Sequence, residues 1–181
     1  MILILHGWKG SDPGHWQHHL LAQLQVHGVS ASLPDLPRKD APDLAQWLAE
    51  LDRILRNNSV TGVVCHSLAN LLWLHYCHQY QPTSIPQLLL VAPCSWNKTI
   101  TEAKTFFQIP ADAPKCVAAS AQRVQLVMSK NDPYCPLDDA RHIEQSLAVP
   151  TMWIHNAGHI NTDAGYGNWE YPLKWLLDGI H

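Results

Sequence analysis

Six short apolar runs punctuate the chain: ILIL (2–5), VSASL (29–33), VTGVVC (60–65), QLLLVA (87–92), RVQLVM (123–128) and TMWIH (151–155). Each is too short for a helix and rich in residues suited to burial on both faces, so six strands are predicted. Between them, at about 14–27, 42–57, 68–80, 137–147 and 168–178, apolar residues recur every three or four positions, as in Leu44, Trp47, Leu48, Leu51, Ile54 and Leu55. That is the period of a helix with one buried face. Strands alternating with helices imply a mostly parallel sheet covered on both faces by helices.

Several boundaries carry their own chemistry. Asp12 followed by Pro13 reads as an N-cap with proline in the first turn, where the missing N–H costs nothing. Gly28 and the run Arg56-Asn57-Asn58 fit helix ends. The alternation lapses over 93–121, a stretch broken by Pro93, Pro110, Pro114 and an Ala/Ser tract, which is expected to be a short lid or specificity insert. At 181 residues the chain suits one domain, 1–181, with a substantial core.

Composition removes several classes of function. Charged residues are only 15% and the formal net charge is −3, so no basic field exists to hold nucleic acid or an anionic membrane. The five cysteines (Cys65, Cys77, Cys94, Cys116, Cys135) are odd in number and form no CxxC pair, which suits reduced thiols and a cytoplasmic location. MILILHGW has neither a basic leader nor the length of a membrane span, and reads as a core strand. Twelve histidines, among them His15, His18 and His19, His75 and His78, and His155 and His159, invite a metal reading. They lack HExxH or cysteine-rich spacing, so no metal is expected.

In an open parallel sheet, ligands bind beyond the carboxyl ends of the strands. The residues at those ends are His6-Gly7-Trp8, His66-Ser67-Leu68, Pro93-Cys94, Lys130-Asn131-Asp132 and Gly158-His159. A nucleophile, an acid and a base therefore fall at three of five positions. A serine hydroxyl attacks only when a base takes its proton and a third group holds that base in the correct tautomer. Ser67, His159 and Asp132 would fill these roles. A tight strand-to-helix turn at Ser67 would aim the Leu68 backbone N–H at a developing oxyanion, with the N–H of Trp8 as a second donor.

CHSLA resembles the nucleophile elbow of α/β-hydrolases, usually written G-x-S-x-G, and the order serine, aspartate, histidine is the order of that fold. HGWKGSDPGHWQ, SKNDPYCP and AGHINTDAGYGNWEYPLK extend the match over essentially the whole chain. They resemble the small serine hydrolases of the RBBP9/YdeN-like family. The resemblance implies a minimal three-layer α/β-hydrolase fold of about six mostly parallel strands, and a Ser67–Asp132–His159 triad. It departs at the two elbow glycines, which are Cys65 and Ala69 here.

Rival readings follow from the same residues. Ser67 could be a helix cap, and Asp132 a turn aspartate before Pro133. Asp138, Asp139 and Asp163 are other candidate acids, the first two explicable by helix capping. His66 is expected to point away from the triad and pack, and a Cys65–His66 pair is poor because neighbours on a strand face opposite sides. Of the eight tryptophans, Trp8, Trp96 and Trp169 are candidate walls of an apolar substrate pocket. Together these readings give a serine hydrolase without cofactor acting on a small carboxylester, thioester or amide. Its expected partners are small ester or acyl substrates, with no nucleic acid and no membrane. The alternative is a catalytically weak or silent protein-interaction module, binding an unidentified protein, whose elbow Cys65 has spoiled.

Overall fold

The computed structural model describes residues 1–179. Six strands, β1 (Ile2–Leu5), β2 (Ala31–Ser32), β3 (Gly62–His66), β4 (Ile85–Val91), β5 (Ala121–Ser129) and β6 (Thr151–Ile154), form one sheet in the order β2-β1-β3-β4-β5-β6. Every pairing is parallel. The helices are α1 (Trp16–Val26), α2 (Leu44–Asn57), α3 (Leu68–Tyr80), α4 (Ala113–Ala119), α5 (Leu137–Leu147) and α6 (Tyr171–Asp178). This is the minimal α/β-hydrolase architecture. None of the helices among the described residues is long and apolar enough to cross a membrane.

The strand pleat divides the core in two. On β1 and β3, Leu3, Leu5, Val63 and Cys65 face one apolar cluster, built with α2, α3, α4 and α5. Ile2, Ile4 and Val64 face the other, built with Trp16, Leu20 and Leu24 of α1 and Leu173, Trp175 and Leu176 of α6. Side chains alternate across a strand, so one sheet needs two helical layers. In α3 the ten residues from Leu68 to Cys77 are all buried, because it lies between the sheet and other helical elements. Such a helix is apolar on most of its circumference, and its buried Asn70 and His75 bond backbone carbonyls.

The chain runs outward from β1 to β2 and then returns to place β3 on the other side of β1. That reversal makes the β1–β3 crevice the topological switch point, where ligands of open α/β sheets bind.

Several predicted boundaries move, among them the start of α6, which lies at Tyr171 and not near residue 168. Helix α1 begins at Trp16, not near residue 14: Asp12 and Pro13 belong to a preceding turn, and His15 is the N-cap, its Nδ1 accepting from the Gln17 N–H at 3.3 Å. Strand β2 shrinks to two residues at the sheet edge. The segment 93–121, expected as a lid or specificity insert, holds a 3-10 helix (Thr101–Phe107) and α4. Pro114 lies in the first turn of α4, where proline removes no helical hydrogen bond.

Candidate active site

Strand β3 ends at His66, and the next residue turns sharply. Ser67 has φ 56° and ψ −121°, a conformation that costs a non-glycine residue roughly 1–3 kcal/mol and persists only where its surroundings enforce it. The enforcing bonds are visible. The Ser67 N–H donates to Val91 O at 3.0 Å, and Asn70 Nδ2 donates to both Ser67 O (2.8 Å) and Val91 O (2.9 Å). Gly7 faces the turn so closely that an added Cβ would lie 2.7 Å from Ser67 Cβ. The tight approach is thus met by glycine in the β1 loop, while the two usual elbow positions hold Cys65 and Ala69.

Those two residues are fully buried in the cluster beneath α2 and α3. In register, Cys65 lies between Leu5 and Leu90, and burial pushes its thiol pKa well up. A neutral thiol packed on that face is no nucleophile. The Ser67 hydroxyl makes no capping bond to α3. Instead it donates to His159 Nε2 at 2.8 Å, and His159 Nδ1–H donates to Asp132 Oδ2 at 2.8 Å, with Oδ1 at 3.0 Å. All three residues are buried.

Asp132 follows β5 and is also the turn aspartate that its neighbour Pro133 suggested, for Oδ1 accepts the Tyr134 N–H at 2.8 Å. The turn fixes the carboxylate that faces His159. The rival acids lie elsewhere. Asp139 receives bonds from Ser95 and Asn97, Asp138 has a side chain 98% exposed, and Asp163 lies on the cleft wall. Asn131 Oδ1 accepts the Gly158 N–H at 2.9 Å, joining the aspartate loop to the histidine loop.

His66 differs from expectation. It lies on the α1 and α6 side of β3, where the His159 loop also packs, and its Nε2–H donates to His159 O at 3.0 Å. The two rings are 5.0 Å apart, and the His15 ring lies 4.9 Å from that of His66. Burial, above all, lowers the pKa of His15 to about 4 and that of His66 well below its usual range. Both rings are neutral at pH 7, so neither adds a positive charge beside His159. On the other side of Ser67 the thiol of Cys94 lies 3.3 Å from Oγ. With the serine proton committed to His159, the thiol is the donor. Burial raises its pKa to about 12.

These side chains open onto a cleft of about 300 Å³. Trp8 lines it, beside Lys9, Asp12, His15, Asn161, Thr162 and Asp163. Ile100 and Tyr134 complete it, so polar side chains share the walls with Trp8, Ile100 and Tyr134, and the cleft is more polar than the apolar, aromatic pocket expected from sequence. Neither Trp96 nor Trp169 is among the lining residues. Trp169 packs on Trp16, Tyr166 and Tyr171 outside the cleft, and Trp96 packs against His142. Leu68 is the first residue of α3, directly after the turn.

Among the described residues no group of three or more His, Cys, Asp or Glu side chains is placed to hold a metal. The other clustered histidines have local partners: His18 bonds Ser11 O, His75 bonds Phe106 O, and His19 pairs with Glu170. Sequence reasoning missed Asn70, Cys94 as the serine's neighbour, and the inward turn of His66. Asn70 had a signal, a lone amide in an otherwise apolar helical turn.

Comparisons with known proteins give the family and the fold. A family model described as serine hydrolase matches residues 2–178. YdeN of Bacillus subtilis (strain 168) is 25% identical over 170 residues, covering 91% of this chain and 88% of that protein. The crystal structure of the B. subtilis ydeN gene product superimposes with a TM-score of 0.85 at 23% identity, over 99% of this chain and 97% of that one. A YdeN-like protein from Pectobacterium atrosepticum gives 0.79 at 25% identity, over 98% and 89%. A monoacylglycerol lipase from Paleococcus ferrophilus shares the fold, with a TM-score of 0.74 at 14% identity over 98% and 94%.

Proposed function

Because the chain belongs to the serine hydrolase family, as a YdeN-like member of the α/β-hydrolase superfamily, we propose that it cleaves a small carboxylester, thioester or amide through an acyl-enzyme on Ser67. The observation that carries this reading is the unbroken chain from Ser67 Oγ through His159 to Asp132, 2.8 Å at each link, on a strained turn.

His159 Nε2 takes the serine proton as Oγ bonds to the substrate carbonyl carbon. The carbonyl π pair moves onto oxygen, where the backbone N–H groups of Trp8 and Leu68 receive it. Leu68 adds the positive end of the α3 dipole. Collapse of the intermediate breaks the bond to the leaving group, which departs with the proton held by His159. Water then repeats the sequence with His159 as base, regenerating Ser67 and releasing the acid. Asp132 holds the Nδ1–H tautomer throughout and stabilises the imidazolium.

Hydrolysis of a panel of small p-nitrophenyl esters tests the reading. Ser67→Ala should lower kcat/KM by at least about 10³-fold with the fold unchanged by circular dichroism. Full turnover by Ser67→Ala of every ester that the wild type accepts would refute it. The rival reading, an interaction module with a spoiled elbow, draws on Cys65 and on aromatics near the C-terminal helix, where Tyr166, Trp169 and Tyr171 pack on one another. The buried placement of that thiol beneath α3, away from the cleft, argues for the enzyme.

A further inference from the structure

Beside the cleft lies a second, smaller pocket whose lining is more apolar. It has a volume of about 140 Å³, and its apolar walls are Cys94, Ile100, Phe107 and Pro133, with Tyr134. Ile100 and Tyr134 line both spaces, and Cys94 Sγ is 3.3 Å from Ser67 Oγ. The small pocket therefore begins beside the nucleophile. It is completed by Lys98 and Thr99, both exposed, so a chain longer than the pocket meets polar groups and water.

Towards His159 the cleft wall is more polar. His159 must hand its proton to the leaving group, so the leaving group lies on the His159 side. There the wall carries His15, Asn161, Thr162 and Asp163. A substrate with an apolar acyl part and a polar leaving part matches both walls, and the reverse orientation would bury polar groups against Phe107 and Pro133 without partners.

We propose that the Cys94–Ile100–Phe107 pocket is the acyl subsite, and that the substrates are esters, thioesters or amides of short apolar acids carrying a polar, hydrogen-bonding leaving group. This rests on the acyl-enzyme reading above. Size sets the ceiling: an apolar cavity of about 150 Å³ holds one benzene ring, which limits the acyl chain to about six carbons. Below that ceiling each added methylene gains about twofold to fourfold in rate from burial.

The test uses p-nitrophenyl alkylphosphonates with alkyl chains of one to ten carbons. Attack by Ser67 Oγ forms an O–P bond and expels p-nitrophenolate, with no deacylation step to confuse the rate. Nitrophenolate release and the mass of the Ser67 adduct are read together on the wild type, Phe107→Ala and Ile100→Ala. The wild-type rate should peak at four to six carbons and fall at least tenfold by ten. In either enlarged variant, the ratio of the eight-carbon to the two-carbon rate should rise at least tenfold. Two variants are used so that one poorly folded protein does not decide the matter. Labelling of Ser67 that is flat with chain length, or a ratio unmoved in the folded variants, would overturn the subsite alone. No labelling of Ser67 by any member, the methyl probe included, would overturn the acyl-enzyme reading and the subsite with it.

Discussion

Residues 65 and 66 are neighbours on β3 and inhabit different worlds. Cys65 goes to the α2 and α3 side, among aliphatic side chains, where its thiol is inert. His66 goes to the α1 and α6 side, beside the rings of His15 and His159, and bonds the backbone of the histidine loop. The difference shows how a pleated strand can separate support from chemistry within one residue. The apolar side supplies the rigid mount, and the imidazole side fixes the loop that carries His159. Substitutions on the two sides should accordingly have different signatures.

The largest effect is expected at Asp132, the hydrogen-bond partner of His159. Asp132→Asn should reduce kcat on any accepted ester by about 10³ to 10⁴-fold, since the amide favours the wrong tautomer of His159, while the melting temperature changes little. Stopped assays across pH 6 to 9 check this. A fall under tenfold would mean that Asp132 is only a turn residue.

Asn70 belongs to the mount, and its loss should register as stability. Asn70→Ala removes two donors from the buried carbonyls of Ser67 and Val91, at a cost of about 2 kcal/mol in urea unfolding. Activity should fall too, because the strained turn loses its brace.

The imidazole side makes a prediction about acid. The unfolded chain protonates His15 near pH 6.5, whereas the folded chain resists until about pH 4 because the ring is buried. Between those values the unfolded state binds more protons, so stability rises with pH and is lost as pH falls from 6.5 towards 4. The loss from His15 alone amounts to about 3 kcal/mol. In urea titrations across this window, His15→Gln should flatten the slope by about that amount.

The smallest effect should come from the elbow position that departs from the usual motif. Cys65→Gly should change kcat/KM by less than about threefold in folded protein while lowering stability, because a buried side chain is lost from the core. A tenfold gain in turnover would mean that the thiol impairs the turn, and would revive the interaction-module reading.

Much of this was legible in the chain because the relevant signals are local. The runs ILIL and QLLLVA, the β3-to-α3 boundary and the bounds of α5 follow from apolar period alone, and the strand-end rule collected Ser67, Asp132 and His159. What escaped depends on distant packing. Asp12-Pro13 has the chemistry of a cap, yet docking of Trp16 Nε1 onto Ile160 O at 2.8 Å fixes where α1 lies, and His15 takes the cap. Pro110 and Pro114 interrupt the apolar period around α4, so its stretch reads only as part of an insert. The polar side chains of the cleft wall come from loops after β1 and β6 that no periodicity joins, whereas Trp96 and Trp169, conspicuous in sequence, pack elsewhere.

The central claim is that Ser67 is an activated nucleophile. Treating the purified protein with a fluorophosphonate and mapping the adduct by mass spectrometry tests it directly, with His159→Ala alongside. The account predicts a single adduct on Ser67 in the wild type and its loss in the variant. A folded wild type that remains unlabelled, or an adduct that persists at full rate without His159, would contradict it.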